Sequence, residues 1–538
     1  MSTIDELLRQ HVTLDVQSMD RIYLNGYVPN LQVPGQLVNF LCHHLGNTIP
    51  SPALLQRIGD VFVRGVRSFA EENGIPIVHF ERGVRKDDVA AGYRQAFTGA
   101  EGVVFIGVAQ EKAQAFRAHK RSEGNMVGFD YSRQSVCVNH YYFYLQDEDF
   151  GPAFLKVCSY APFGIKICLN GHEWAKQQLR KAGIPFEALD NGFLSCPEPD
   201  RLQDICNQLG VEQIQAFFDK WVARLPMPLT ENDRQAGYRH RLSVWQVEIS
   251  RTQVFSEPVR GREFFEEVIR ENLDLGRPDR IQLVFERRVQ KNTPGLSRTR
   301  VIQEGVIPSL HIQYKKCDVK QYFKAEAPGA EGRALRTETT INDPGDLGVG
   351  KDISNLAYLE EIGREVNRRL LDVQRVSQDC TLSKESVDRV VQPTITPDGQ
   401  RAPGLKFGDA RVMALLAALI LFLHLANGLT HAALRQHVAA YLGVDLSAYT
   451  PGQMTYDLRR LRLKGILWRV PKSHRYLVTP YGYKVALFFT KLNARVFRTT
   501  FASLDPAEPI PRPLAEALQE VDRQIDAVVD RAKLASAA

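Results

Sequence analysis

The sequence predicts an α+β multidomain protein: mixed α/β and β-rich segments first, then a compact three-helix domain with a two-stranded hairpin, then a C-terminal helix. Three observations predict it. At 538 residues the chain exceeds what one core usually supports, since single cores rarely grow beyond roughly 250 residues. Over most of its length, β-branched and aromatic runs alternate with stretches of helical apolar spacing. From about residue 405, three helical patterns and a hairpin pattern follow one another closely.

Composition narrows the class without naming it. A hydrophobic fraction of 44% and a charged fraction of 24% are those of an ordinary globular protein. The net charge of +6 and pI of about 8.8 are mildly basic, so the placement of charge matters more than its sum. The eight cysteines are scattered with no CxxC pair, which points to free thiols rather than a structural zinc. The start, MSTIDELLRQ, lacks the features of a secretory signal. The longest apolar run, 412–426, contains His424 and falls short of the roughly 20 residues of a membrane span. A cytoplasmic protein without a membrane partner is expected.

Residues 1–228 read as an α/β domain. Strands are expected at 21–28, 75–80 and 103–108, and helices at 52–73 and 86–97. The strand candidates 135–145 and 152–161 are joined by QDEDFG, a turn composition that suggests a hairpin. A strand at 165–169 and helices at 172–182 and 211–225 follow. Residues 229–395 read as a β-rich α+β domain, with strands at 242–255, 280–289, 310–324 and 333–342 and a helix at 261–272. A long amphipathic helix at 355–376 puts Leu356, Leu359, Ile362, Val366, Leu370 and Val373 on one face. PTITPDGQRAP (393–403) has linker composition.

Residues 396–500 are expected to form a winged helix-turn-helix. The helices are 409–425, 430–441 capped by Thr430, and 455–464 closed by Gly465. Residues 466–471 and 475–479 make the wing, and 483–497 the closing helix. In the third helix Leu458, Leu461 and Leu463 face the domain. Thr455, Tyr456, Arg459, Arg460, Arg462 and Lys464 face outward, continued on the wing by Arg469, Lys472, His474 and Arg475. The only acid in that stretch is Asp457. A basic helix of this size fits the major groove of nucleic acid, about 12 Å wide, with the wing on adjacent phosphates. The LRRLRLKGIL phrase with its wing resembles bacterial transcription-regulator winged helices, which implies a nucleic-acid partner, DNA ahead of structured RNA. The tail, 501–538, has apolar residues at Leu514, Leu518, Val521, Ile525 and Val528. It is expected to pack on the chain's own body, with oligomerisation through this helix as the alternative.

The middle segment carries a chemical constellation. In VWQVEI (244–249), Gln246 and Glu248 share a strand face; DVKQYFK (318–324) supplies Tyr322 and Lys324; ALRTETTIN (334–342) puts Arg336, Glu338 and Asn342 on one face. The order resembles the replication initiators of filamentous phages and rolling-circle plasmids, which nick one DNA strand with a tyrosine and a divalent metal. The resemblance implies Tyr322 as nucleophile with Tyr314 as competitor, Lys324 and Arg336 as basic groups, and Glu248 and Glu338 as ligands of Mg²⁺ or Mn²⁺. It covers about 100 residues and departs from the family pattern at Gln246-x-Glu248 and in lacking a His-hydrophobe-His pair, so His311 or His140 would complete the metal site. The plain alternative is an Arg336–Glu338 surface ion pair on a strand. The RALRTETTIN and MTYDLRRLRLKG phrases are also similar to those of a group of long bacterial proteins, a likeness that carries no function.

Other features have plainer readings. VNHYYFY (138–144) would offer stacking aromatics for single-stranded nucleic acid, but a sheet buried on both faces explains it better. His172 reads as a helix cap. The Gly-rich loop 343–351 lacks phosphate-loop spacing. The expected function is therefore nucleic-acid binding, with DNA nicking or processing for a mobile element or replicon as the leading activity; the alternative is a non-enzymatic regulatory or assembly protein.

Overall fold

The computed structural model describes residues 4–264, 297–302, 309–314, 317–324, 332–378, 382–420 and 428–493, apart from single or paired gaps at 82, 124–125, 397–398 and 472, together with a few positions between 516 and 524. The strand expected at 280–289 and nearly all of the C-terminal helix lie outside these residues. The chain is mixed α/β and forms two compact units, one built mainly from the chain up to Arg375, the other from Val376–Leu421 and Leu429 onward. Among the described residues, no helix is long and apolar enough to cross a membrane.

The first unit is organised by one mixed sheet. Its strands are β1 (Val12–Tyr27), β2 (Ile77–His79), β3 (Gly102–Glu123), β4 (Met126–Asp147), β5 (Gly151–Cys158), β6 (Ile165–Asn170), β9 (Arg241–Phe255), β10 (Ser297–Ile302), β11 (Ser309–Tyr314), β12 (Cys317–Lys324) and β13 (Ala334–Ile341), and a separate small hairpin holds β7 (Glu187–Leu189) and β8 (Gly192–Ser195). The order in the sheet is β10-β11-β12-β13-β9-β1-β6-β5-β4-β3-β2. Because β1 pairs with β6 on one side and β9 on the other, the segments before and after residue 228 share a single sheet. The expected β4–β5 hairpin is present, closing at Asp147 and Gly151.

Side chains alternate across the sheet, so each strand serves two layers. On one face Leu356–Gln378 packs on β9 and β13, where Asn367 Nδ2 donates to the Ile249 carbonyl and Thr339 Oγ1 to Asn367 Oδ1. Pro52–Glu72 lies on the same face, its Gly59 close to the Ser159 carbonyl and Phe62 edge-on to Tyr141. On the other face Lys86–Ala96 covers Phe105, Tyr142 and Tyr144, so the aromatic run of β4 is core, as the plain reading has it. Gly171–Ala182 starts where Asn170 caps it, its side chain accepting from the His172 and Glu173 amides.

The second unit packs Ala410–Leu419, His431–Leu442, Pro451–Leu463 and Pro480–Leu492 around one apolar core. Leu467–Arg469 and Arg475–Val478 form a hairpin to which Leu429–Thr430 adds a third strand. The third helix begins four residues earlier than expected because Thr450 and Gln453 make a reciprocal capping box and Pro451 occupies the first helical position. The 393–403 stretch is itself structured: Thr394–Ile395 pairs with Arg401–Ala402, and Ala402 is fully buried.

Candidate functional site

Strand β13 is buried at every position, which requires partners for its polar side chains. Arg336, 0% exposed, is the largest of them. Its Nε donates to Glu338 Oε2 at 3.0 Å and its Nη1 to the Asn191 carbonyl at 2.6 Å. Its Nη2 pairs with Asp20 and lies 3.2 Å from His172 Nε2. The pair is therefore not a surface one. An arginine N–H can only donate, so His172 Nε2 is the acceptor and the ring proton sits on Nδ1. Burial pushes the imidazole down to about 3, against the pull of Asp20, which keeps it neutral. Ser18 and Ser250 complete its surroundings.

Asp20 arrives through a β-bulge. The register of β1 against β9 goes from Met19↔Ile249 to Ile22↔Val247, so Asp20 and Arg21 together oppose Glu248. One oxygen each of Asp20, Glu248 and Glu338 lie within 4.8 Å of one another, and all three residues are buried. Oxygen ligands sit about 2.0–2.6 Å from a hard divalent ion, so these three can reach one ion. Burial, then the charges of Glu338 and Asp20, raise the Glu248 carboxyl to about 8. Asp20 moves the other way: burial opposes its charge, but Arg336 and the Asn191 amide, which donates to it at 2.7 Å, hold its carboxyl below the usual range. Three carboxylates around one arginine leave surplus negative charge, which a proton on Glu248 would halve and a divalent cation would neutralise.

Tyr322 stands on β12 opposite Arg336, and its hydroxyl donates to Glu338 Oε2 at 3.0 Å. Burial and the nearby Glu338 raise its phenol above the ordinary value. The cation beside Tyr322 is Arg336; Lys324 is turned to the Asn191 carbonyl at 3.2 Å and to Asp190 at 3.7 Å. The exposed approach is basic: Lys320 lies 4.0 Å from Glu338 Oε1 and Arg21 3.9 Å from Glu248 Oε2, their side chains 41% and 56% exposed.

Thus Glu248, Glu338, Tyr322 and Arg336 converge, with Lys324 at the margin. Tyr314 ends β11, and its side chain lies outside the described residues. His140 sits on β4 with its Nδ1 3.2 Å from the Val138 carbonyl, and is not part of the carboxylate group. Asn342 turns to Asp318 at 2.9 Å. Sequence reasoning does not reach the third carboxylate, Asp20, or the buried His172. The strand expected from residue 21 begins at Val12, and an aspartate inside that apolar alternation is the signal that points to it.

In the second unit, Pro451–Leu463 buries Met454, Asp457, Leu458 and Leu461. Asp457 is paired with Arg411, Arg460 and the Tyr449 hydroxyl, so the single acid of this region is withdrawn from the surface. Thr455, Tyr456, Arg459 and Arg462 are exposed, Arg460 is half-buried over Tyr456, and Leu463 is only half-buried. Lys464 is corrected: it is 0% exposed, and its ammonium donates to the Arg389 and Gln392 carbonyls and to Thr394 Oγ1. It follows the helix on the inward face and secures the 384–402 segment, so it cannot reach a phosphate. On the hairpin Arg469 and His474 are exposed and Arg475 half-buried; Lys472 lies outside the described residues. Trp468, 49% exposed, adds an aromatic to this surface.

Compared with known families, curated proteins and solved structures, the chain matches no family model and none of the proteins or structures.

Proposed function

We propose that this is a nucleic-acid-processing protein whose second unit is a winged helix-turn-helix that holds nucleic acid and whose first unit cuts one DNA strand with Tyr322 and a divalent ion. The observation that carries the reading is the convergence of three buried carboxylates with a tyrosine hydroxyl 3.0 Å from one of them. Mg²⁺ or Mn²⁺ held by Asp20, Glu248 and Glu338 would supply charge for the phosphate in its transition state. The phenol of Tyr322 gives its proton to Glu338, its oxygen bonds to phosphorus, and the bond to the leaving sugar oxygen breaks as that oxygen takes a proton from water. Lys320 and Arg21 flank the approach and favour a phosphate there. Full burial of Arg336 favours a second reading, a non-enzymatic binding protein in which this network only holds the sheet together.

Supercoiled plasmid with Mn²⁺ separates the two. The protein is expected to relax the plasmid and remain covalently bound to the cut strand on a denaturing gel. Tyr322→Phe is expected to abolish both while leaving plasmid affinity within about twofold, because the ring and its packing remain. No cleavage by the parent protein, or cleavage without an adduct, overturns the tyrosine mechanism.

The holding role has its own test. Arg459→Ala with Arg462→Ala removes two exposed cations from the third helix. Duplex affinity is expected to fall, and the slope of log affinity against log salt to flatten by about one unit for each phosphate no longer neutralised. An unchanged slope would place the binding surface elsewhere.

A further inference from the structure

The sheet face that bears the carboxylates runs on along β9 beside β1 and β6, and there β9 carries an aromatic left in the open. Of the four tryptophans, Trp468 lies on the hairpin of the second unit, Trp174 and Trp221 are buried at 4% and 2%, and Trp245 is 41% exposed. Its position is built. The register of β1 against β9 passes from Tyr23↔Gln246 to Leu24↔Val244, so Trp245 is the extra residue of a second bulge, three residues before Glu248. Tyr23 meets its ring edge-on, centroids 5.9 Å apart, and Lys166 Nζ lies 3.7 Å from the ring centroid. Arg21, two residues before Tyr23, is exposed between this group and Glu248.

Resting on the strand-cutting reading of the carboxylate cluster, we propose that Trp245, with Tyr23, Lys166 and Arg21, is the platform on which a base of single-stranded DNA stacks beside the cut. Three residues of strand span about 10 Å, a distance that a few linked nucleotides bridge. A stacked base pays little for sequence, because every base has an aromatic face, and the two cations meet its flanking phosphates. Single-stranded DNA is the occupant because the carboxylates are only 1–7% exposed. A rigid duplex cannot bend one phosphate onto buried groups, whereas a single strand can lie along the sheet.

The test uses the full chain carrying Tyr322→Phe, in EDTA, so that neither metal nor cleavage enters. Oligo-dT and a short duplex are titrated in parallel, reading tryptophan fluorescence and anisotropy of labelled DNA. With Trp468→Phe in the background, so that Trp245 is the exposed tryptophan among the described residues, oligo-dT is expected to quench the fluorescence, and Trp245→Ala to remove that quench and weaken oligo-dT binding about 5- to 100-fold. Trp245→Phe should keep most of the affinity, and neither change should alter duplex binding. Equal affinity of Trp245→Ala and its parent for oligo-dT overturns the proposal, as does an equal loss for single strand and duplex. Because binding is read without chemistry, a protein that stacks but does not cut refutes the nicking reading alone, and one that cuts without stacking refutes only this one.

Discussion

Arg336→Met is expected to destabilise the first unit by about 3–5 kcal/mol, the range for removing one partner of a buried ion pair. The guanidinium satisfies Asp20, Glu338 and the Asn191 carbonyl at once. Without it, two carboxylates that are 1% and 5% exposed lose their countercharge. With no cation bound, the Asp20 carboxylate escapes by taking up a proton. In the variant its folded-state affinity for a proton therefore rises above the unfolded value, and the penalty is felt at neutral pH and relieved as pH falls. Urea unfolding should accordingly show a large deficit near pH 8 that shrinks near pH 5. A variant as stable as the parent at pH 8 would mean that the cluster is hydrated rather than sealed.

Proton and metal are expected to compete at Glu248. Its carboxyl holds a proton up to about 8 in the folded protein, against an ordinary value of 4.5. Between these values the folded state binds more protons than the unfolded, so this group's contribution to stability falls as pH rises through the interval. A divalent ion must expel that proton, so apparent Mn²⁺ affinity should climb by up to about tenfold per pH unit below 8 and level off above it. Isothermal titration in two buffers of different ionisation heat would count the proton released. Glu248→Gln should weaken binding and abolish the slope, since a neutral amide carries no proton to release and is a poor ligand for a hard cation. Affinity independent of pH would remove Glu248 from the ligand set.

What the sequence makes legible depends on where physical signals are local. Helices such as Pro52–Glu72 and Leu356–Gln378 write their apolar spacing into contiguous sequence, and both are found within a few residues of their expected limits. That Gln246 shares a strand face with Glu248, and Arg336 with Glu338, is accessible for the same reason, because strand parity is local; that the two strands are neighbours is not. Asp20 stands out as an acid within an apolar strand, but nothing in SMDR announces its partner more than two hundred residues away. Register and bulges decide that partner, and they belong to the assembled sheet. Lys464 misleads for a related reason. A lysine after a basic helix looks like its neighbours until the 384–402 segment folds beneath it and offers three oxygens. His172 reads as a cap, yet Asn170, two residues before it, does that work and leaves the imidazole to the interior.

The position of β1 inside the sheet has a bearing on how the protein is made. Only residues Arg21–Gly26 pair with β6; the stretch from Val12 to Met19 finds its partner in β9, whose residues leave the ribosome more than two hundred positions later. Until then that edge presents unpaired backbone next to Leu14, Val16 and Met19, all at most 3% exposed in the finished fold. Long-range pairing of this kind slows folding, and bare apolar edges recruit one another. Fragments that stop near residue 228 should therefore aggregate on expression, whereas fragments carried through β13 can close the sheet around its oldest strand.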